Sequence, residues 1–483
     1  MPESLLSEAG SVPVYEDLPE PTVKKMSIPG LASILAVAKN IKWLRSLLGV
    51  DDVGVVEATR RATKDHIGVT DYPVARAMAG RLTTHPGVLE AVLRDTESWS
   101  RNTPADQKFR FMAGGAFTAQ PGEMEWRESR DRLSAILSFR QNTELPNTIL
   151  AAAEEFADAV EAQGRDAEFD IYPLAVQYAY RVISEIVLGK DKKDLASALQ
   201  DAWKTINTVG GQWILEIKTP ATQVPNELRM AVEKTNDIGQ QALERETARV
   251  AGGGAKEETL INHLLHEGLS AEKVAAELRG ALLAGHLTVT VAVVWLLSHL
   301  GNTPDFRSEV YNDLGKILQF SDLPLSRNHS ERKTRMPHVV AAILEAFRVD
   351  PPAPIFGRGN KKKCPINVAG ISMKPTDMVT AFIYGILRNS LIWPQAERFI
   401  PERLLGKLTV AQQKALAFIF GGMVSTRCPG EQLAWGELIT LLWVLQKRGT
   451  VLDSPGPVEA ETERITVTRE PKGGKCPMRR AAA

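Results

Sequence analysis

The most apolar stretch of the chain, residues 280–300, is part of one long predicted helix. The stretch continues backwards without a break into a polar segment, where Ser270 is a good N-cap and Glu272 lies in the first turn. Gly301, with Pro304 beyond it, is expected to cap the other end. About 30 residues that are polar at first and then apolar all round predict the central core helix of a large protein rather than a membrane span.

Most of the remaining chain also shows helical spacing. Apolar residues recur three and four positions apart in the segments that begin at residues 85, 126, 145 and 172. Two stretches differ: residues 365–383 hold two β-rich runs around a Lys-Pro-Thr-Asp turn, and residues 464–479 show a second, shorter hairpin pattern. The Gly-rich segment 250–258 is too short to separate domains. The sequence therefore predicts one large, mainly α domain with a small β part.

Composition and charge exclude several classes of function. Lysine plus arginine balance aspartate plus glutamate, 58 against 58, so no overall field recruits nucleic acid or an anionic membrane. Cys364, Cys428 and Cys476 are too far apart to form a disulfide framework. A reducing, cytoplasmic compartment is expected.

The N-terminal region carries no sign of a signal peptide, because no basic segment precedes an apolar run. Residues 27–38 are apolar, but Pro29 and Gly30 interrupt them, and a bilayer span needs ~20 residues. We expect a packed first helix here, with peripheral contact to a membrane surface as the alternative.

The segment GGMVSTRCPGEQLAWGE, residues 421–437, places Cys428 just before a predicted helix. Pro429 lies at the helix start and Glu431 in the first turn. The helix dipole and the neighbouring Arg427 are expected to lower the pKa of the Cys428 thiol and favour the thiolate.

A thiolate has two main uses in proteins, as a nucleophile or as a metal ligand. A nucleophile needs a nearby base, and none of the eight histidines is identifiable as the partner of Cys428. A zinc site needs further Cys or His at short spacing, which Cys428 lacks. A single thiolate is what a haem iron needs, since the porphyrin supplies four nitrogens. On these residues alone, a structural cysteine remains an equal alternative.

Further motifs occur in a defined order along the chain. They are EWRESR at 125–130, LAGHLTVT at 283–290, EAFR at 345–348, FIPERLL at 399–405 and the segment around Cys428. In this order and spacing they resemble the cytochrome P450 family, over most of the chain from about residue 55 onward. The resemblance implies a helical haem-thiolate domain over 55–483, an N-terminal extension over 1–54, and haem b (iron protoporphyrin IX) as cofactor.

The resemblance also implies roles for individual residues. Cys428 would be the axial thiolate of the haem iron. Trp126, Arg130 and Arg358 would hold the haem propionates, for which a guanidinium fork is suited; the alternative for Arg358 is a solvated arginine beside a lysine run. Thr288 would belong to the oxygen-binding segment of the central helix.

Glu345, Arg348 and Arg403 would form a buried cluster behind the cysteine loop. Because Glu345 and Arg348 are three residues apart, they share one face of a helix and can pair independently of the resemblance. A surface salt bridge is the alternative, but the flanking apolar residues favour burial. Such a cluster would determine geometry more than stability.

The cysteine loop departs from the family pattern. The family has Phe seven residues before the cysteine, Gly four before and a basic residue two before, where this chain has Gly421, Val424 and Thr426. If the loop carries one extra residue, Phe420 would be the ring under the haem.

The central helix departs from the pattern as well. Leu287 occupies the position of the acid that precedes Thr288 in the family. His286 is adjacent, but one residue along a helix points about 100° away, so we expect a hydrogen-bonded core histidine. The N-terminal membrane anchor typical of many family members is not found, so the chain resembles the soluble members of the family.

These features imply a monooxygenase that activates O2 with electrons from a separate reductase or ferredoxin and oxidises an apolar small molecule. One alternative is a peroxygenase, isomerase or dehydratase that does not activate O2, which Leu287 favours. Another is a non-catalytic haem-binding protein, which Thr288 argues against. The basic run 361–363 is expected to be a solvated turn, with docking of an acidic redox partner as its alternative. Segments 100–120, 205–215 and 353–357 are expected to line the substrate site.

Overall fold

A computed structural model describes most of the chain from residue 80 onward and a few residues before it. The described residues are Leu18, 22–25, 68–71, 80–101, 104–114, 124–215, 220–254, 257–326, 329–362, 364–368, 371–375, 377–422, 427–460 and 468–481. The predicted helix at 27–38 and the boundary at residue 55 lie outside them.

Most of the described chain is helical, which confirms the predicted fold class. The helices are α1 (Pro86–Arg94), α2 (Pro104–Ala113), α3 (Met124–Ile136), α4 (Leu145–Glu161), α5 (Tyr172–Leu188), α6 (Lys193–Leu215), α7 (Asn226–Ala251), α8 (Leu260–His266), α9 (Ala271–Gly301), α10 (Pro304–Gly315), α11 (His329–Arg335), α12 (Pro337–Val349), α13 (Ile383–Leu387), α14 (Val410–Ala417) and α15 (Glu431–Lys447). The helices predicted from residues 85, 126, 145 and 172 correspond to α1, α3, α4 and α5.

The strands form small sheets. They are β1 (Thr22–Lys25), β2 (Gly68–Asp71), β3 (Gly80–Thr83), β4 (Trp99–Ser100), β5 (Glu168–Asp170), β6 (Phe356–Asn360), β7 (Ile366–Val368), β8 (Ile371–Met373), β9 (Met378–Ala381), β10 (Val451–Asp453) and β11 (Pro477–Ala481). The largest sheet has the order β1-β2-β3-β9-β6-β4, a second has β10-β11-β5, and β7 pairs with β8.

The central helix α9 begins as predicted, because the Ser270 side chain accepts a hydrogen bond from the Lys273 backbone nitrogen. Its end differs: Gly301 is still helical and Asn302 is the C-cap. Gly301 instead permits close packing, since a Cβ there would lie 2.6 Å from the Ser454 backbone nitrogen. Gly285 likewise lets α5 approach, since a Cβ there would lie 2.7 Å from the Ile183 side chain.

The length and composition of α9 would suffice to cross a membrane, but 83% of its most apolar window is buried inside the protein. The helix packs against α5 and α7 and contacts α12 and α15. Its apolar circumference is therefore explained by neighbours on all sides, as expected for a core helix.

The hairpin predicted over residues 365–383 is wrong in its turn. Strand β7 already pairs antiparallel with β8, whose last residue, Met373, precedes the Lys-Pro-Thr-Asp segment. The Lys374–Asp377 turn exists, with the Asp377 nitrogen donating to the Lys374 oxygen at 3.0 Å, but it leads into β9. That strand is wholly buried and pairs on both edges, with β6 and β3, because buried backbone groups need partners.

Only part of the C-terminal hairpin predicted over residues 464–479 falls on described residues, so that hairpin stays a prediction. Strand β11 pairs with β10 on one edge and β5 on the other. Residues 461–467, which include most of the predicted first arm, lie outside the described part of the chain.

Candidate functional site

An apolar cavity of about 340 Å³ lies between the central helix and α15. Leu287 and Thr288 of the central helix line it, as do Phe420 and Cys428 of the loop before α15. The fold thus brings the predicted oxygen-binding segment and the predicted thiolate to one cavity.

A tight turn positions Cys428. Gly421 and Gly422 take the left-handed φ values +84° and +91°, which favour glycine, and reverse the chain after a short 3₁₀ turn ending at Phe420. The Cys428 backbone nitrogen then donates to the Phe420 oxygen at 2.7 Å. The structure therefore brings Phe420 beside Cys428, as the extra-residue interpretation of the loop requires. Residues 423–426 between them lie outside the described part.

The thiol of Cys428 is exposed, and Cys428 lines this cavity. Burial raises its pKa, which outweighs the hydrogen bond from the Gly430 nitrogen and the charges of Arg130 and Arg427. The prediction that the pKa of the Cys428 thiol is lowered is therefore wrong for the protein without haem. One reason is that Arg427 already donates to Glu431 at 2.6 Å, so its charge is largely neutralised.

Two arginines line the cavity, and a third, Arg358, does not line it but lies close enough to Arg101 to feel its charge. The two that line the cavity are Arg101 and Arg130, and the Arg130 guanidinium lies 5.4 Å from the centre of the Trp126 ring. Arg358 of β6 is only 8% exposed, and its one described hydrogen bond runs from Nη1 to the Gly357 oxygen at 2.7 Å. Its Nε–Nη2 edge is thus available for an anionic group such as a propionate.

The pKa values of these arginines reflect their crowding. Burial first, and then the charge of Arg101, lowers the pKa of Arg358 to about 9, although Asp106 opposes this. Burial also lowers the pKa of Arg130. Sequence reasoning missed Arg101, since it reaches Arg358 through the pairing of β4 with β6, which the sequence does not reveal.

The central helix presents Thr288 and Leu287 to the cavity. The Thr288 hydroxyl donates to the Ala284 oxygen at 2.6 Å, one turn earlier, which orients its lone pairs. Leu287 is 6% exposed and supplies no polar atom.

His286 lies away from the cavity, in the core, with its ring edge-on to Tyr180 at 5.1 Å. Neither ring nitrogen has a hydrogen-bond partner among the described residues, so the expectation of a hydrogen-bonded histidine is wrong. Burial alone lowers its pKa to about 4.

In the predicted three-residue cluster, Glu345 and Arg348 are buried, whereas Arg403 is only partly buried. Arg348 donates two hydrogen bonds to the carboxylate of Glu345, from Nε to Oε2 at 2.8 Å and from Nη2 to Oε1 at 2.9 Å. Both side chains are fully buried. Arg403 adds an ion pair of 3.2 Å to Glu345, whose Oε1 also accepts from the Ile400 nitrogen. The second arm of Arg348, Nη1, donates to the carbonyl oxygens of Leu387 and Ala396. The cluster joins α12 to the segment that leads towards the cysteine loop.

Glu437 is a cavity residue that sequence reasoning missed. It is 1% exposed, and both carboxylate oxygens lack a partner among the described residues. Burial raises its pKa well above the ordinary value, which favours the neutral acid. The sequence signal for Glu437 was the presence of an acidic residue within the apolar run of α15.

The predicted lining segments are only partly correct. Arg101, Phe109, Ala353 and Phe356 line the cavity, whereas no described residue of 205–215 does. Residues of that segment, such as Trp213, belong to a separate apolar cluster. Lys361 and Lys362 are exposed, and docking at that turn stays a prediction.

These features fit a haem. The cavity offers one thiol, apolar walls and the guanidinium group of Arg130, and a porphyrin supplies the four nitrogens that a lone thiolate lacks. No cluster of three or more His, Cys, Asp or Glu that could hold a metal ion occurs among the residues that the structure describes.

Comparison with known proteins identifies the class. The model of the cytochrome P450 family matches residues 80–477, and the chain belongs to this family. Its members bind haem b and act in general as haem-thiolate monooxygenases, with redox partner proteins and hydrophobic substrates. The predicted family and cofactor are thus confirmed.

Individual relatives are distant. Pentalenene oxygenase from Streptomyces avermitilis is 24% identical over 393 residues, 77% of this chain and 81% of that protein. 2-Hydroxyisoflavanone synthase from Glycine max is 23% identical over 313 residues, 59% of this chain and 58% of that protein. Cytochrome P450 4A7 from Oryctolagus cuniculus is 26% identical over 200 residues, 41% of this chain. The chain spans only 37–38% of the length of this and other relatives that it matches.

Proposed function

We propose that this chain uses electrons from a separate reductase or ferredoxin to insert oxygen into an apolar small molecule. The observation that carries the proposal is the apolar cavity that Cys428 and Thr288 both line. A haem with a thiolate ligand would supply the oxidation, in which one atom of O2 enters the substrate and the other leaves as water.

The chain's own residues would hold the haem. Cys428 would ligate the iron, and the guanidinium groups of Arg130 and Arg358 would pair with the propionates. Trp126 supports Arg130 through its ring face. Phe420 would pack beside the macrocycle, since its ring already rests edge-on against Phe347 at 5.7 Å.

Proton delivery would depend on Thr288. Its hydroxyl donates to the Ala284 oxygen and can accept from a water or a substrate group, so it can relay a proton but not supply one. Leu287 has no proton to give. Among the described cavity residues the one carboxyl group is that of Glu437, which lies on the cysteine helix.

A second candidate is a peroxygenase, isomerase or dehydratase, because such enzymes do not need protons for the reduction of O2. Leu287 at the position of the usual acid favours it. A non-catalytic haem protein would not need Thr288 in the cavity wall. A cytoplasmic location stays a prediction.

Turnover of a panel of apolar substrates would separate these functions. The holoenzyme is assayed once with NADPH and a surrogate reductase, and once with hydrogen peroxide alone. Product in the reductase arm supports the monooxygenase. Product in the peroxide arm, with none in the reductase arm, supports the peroxygenase. No product in either arm, with haem bound, argues against both oxygen-inserting functions and supports an isomerase, a dehydratase or a binding protein.

A further inference from the structure

A second pocket, of about 470 Å³, lies beside the N-terminal half of the central helix. Helices α3 and α7 supply its other walls, and none of its lining residues belongs to the haem cavity. The volume is within the range of small-molecule sites.

Arg279 of the central helix lines this pocket and is only 6% exposed. Its Nη1 donates to Thr235 Oγ1 and to Asn236 Oδ1, both at 2.8 Å, and both acceptors are neutral. Its Nε is buried and has no hydrogen-bond partner among the described residues. Burial lowers its pKa to about 10, despite the charge of Glu272, so the group remains a cation at neutral pH.

Nε of Arg279, which has no partner among the described residues, belongs to the edge with which arginine binds a carboxylate. The other atom of that edge, Nη2, lies beside Gly114, where an added Cβ would come within 2.8 Å of it. In Arg348 the same two atoms, Nε and Nη2, hold the two oxygens of Glu345. A buried cation without such a partner is costly, so its presence calls for an anionic ligand. The buried acid nearby, Glu277, is already engaged by Ser129 at 2.7 Å and Arg132 at 3.3 Å.

We propose that this pocket binds an organic carboxylate, whose two oxygens accept hydrogen bonds from Nε and Nη2 of Arg279. Phe111, Val232 and Leu269 line the same pocket and provide contacts for a short apolar tail. The other charged side chains of the pocket are the acids Glu128, Glu233, Glu272 and Glu277 and the bases Arg132, Arg229 and Lys273. Their charges largely offset one another, so one negative charge on a ligand is enough to match Arg279. A singly charged amphiphile therefore fits best.

The test is calorimetric titration of the haem-loaded protein with octanoate, beside its uncharged isostere octanamide. We expect octanoate to bind and octanamide to bind at least about tenfold more weakly, because a hydrogen-bonded charge pair contributes that much. Arg279→Gln should weaken octanoate binding by a similar factor. Arg229→Gln is the matched control, since Arg229 lines the same pocket but is exposed, and its effect should stay within about twofold.

Two further arms keep the outcome decisive. Asn236→Asp, which places a carboxylate beside Nη1, should weaken octanoate binding and raise the melting temperature while leaving Arg279 in place. Saturating imidazole, which occupies the haem iron, should leave the octanoate affinity unchanged. Equal octanoate affinity in the wild type, Arg279→Gln and Asn236→Asp would overturn the proposal. Competition by imidazole would also overturn it, because the ligand would then lie in the haem cavity.

Discussion

The backbone nitrogen of Cys428 donates a hydrogen bond to the carbonyl oxygen of Phe420, with 2.7 Å between nitrogen and oxygen. One bond thus sets the position of the thiol and of an aromatic ring together. The ring is itself held edge-on by Phe347 of α12, at 5.7 Å between ring centres. The loop can therefore have an unusual length and still present the thiol to the cavity.

The first prediction is that Cys428 ligates the haem iron as a thiolate. The ferrous carbon monoxide adduct of the wild type should show the red-shifted Soret band of thiolate ligation, and Cys428→Ala should lose it. Cys364→Ala, at an exposed cysteine, should keep it. A thiolate spectrum in Cys428→Ala would refute the assignment of the ligand.

The second prediction concerns Arg348. Arg348→Lys should prevent stable haem incorporation, because an ammonium cannot reproduce the bidentate grip on the fully buried Glu345. The loss should amount to about 3–5 kcal/mol in the free energy of unfolding. Arg398→Lys is the control, because that exposed side chain donates only to Gln395. Haem content and melting temperature equal to the wild type in Arg348→Lys would show that the grip is dispensable.

The third prediction concerns Arg358. Arg358→Gln should release haem to an excess of apomyoglobin about tenfold faster than the wild type, because a charge-assisted pair with a propionate is lost. Arg110→Gln, at an exposed arginine of α2, should release haem at the wild-type rate. The propionate role would be excluded by equal release rates in Arg358→Gln and the wild type.

The fourth prediction concerns the buried His286. Burial lowers its pKa from 6.5 to about 4, so between these pH values the unfolded chain binds more protons than the folded protein. Stability should therefore fall as the pH is lowered through this window, by at most about 3 kcal/mol from this residue. His286→Phe, which keeps a ring beside Tyr180, should reduce that fall in chemical denaturation at pH 7 and pH 5. His266→Phe, at an exposed position, should show the same loss of stability between pH 7 and pH 5 as the wild type. If His286→Phe also shows the full loss, the buried His286 is not its source.

The sequence predicted the local elements well and their partners poorly. Helical periodicity and the Ser270 cap were sufficient for the central helix, because both are local signals. Strand β9 was placed in the wrong hairpin, because its pairing with β6 and β3 depends on residues far away in the chain. Arg101 was missed for the same reason.

The candidate site was predicted through motifs, and the electrostatics were not. The positions of Cys428, Thr288 and Phe420 follow from order and spacing. The raised pKa of Cys428 and the lack of a partner for the His286 nitrogens among the described residues depend on burial, which the sequence does not show. Helix position and a neighbouring arginine alone therefore gave the wrong sign for the thiol.

The last prediction concerns proton delivery past Leu287, which lines the cavity beside Thr288. Reduction of O2 consumes protons, and a general acid contributes typically about 10²–10⁴-fold to such steps. The Thr288 hydroxyl can relay protons, and a carboxyl group at position 287 could supply them, whereas hydrogen peroxide brings its own. Leu287→Glu should therefore raise reductase-driven turnover, or its coupling to product, more than it raises peroxide-driven turnover.

Leu287→Gln is the matched control for this comparison, because the amide has nearly the same shape and no acidic proton. Both variants are compared on one substrate with equal haem occupancy, since a polar group in the apolar wall is expected to lower stability in either case. The gain should appear in Leu287→Glu alone and should decline at low reductase concentration, where electron supply limits the rate. Equal effects of Leu287→Glu on both routes would mean that position 287 does not govern proton supply, and Leu287 would then serve only to pack the cavity wall against the cluster around Trp213.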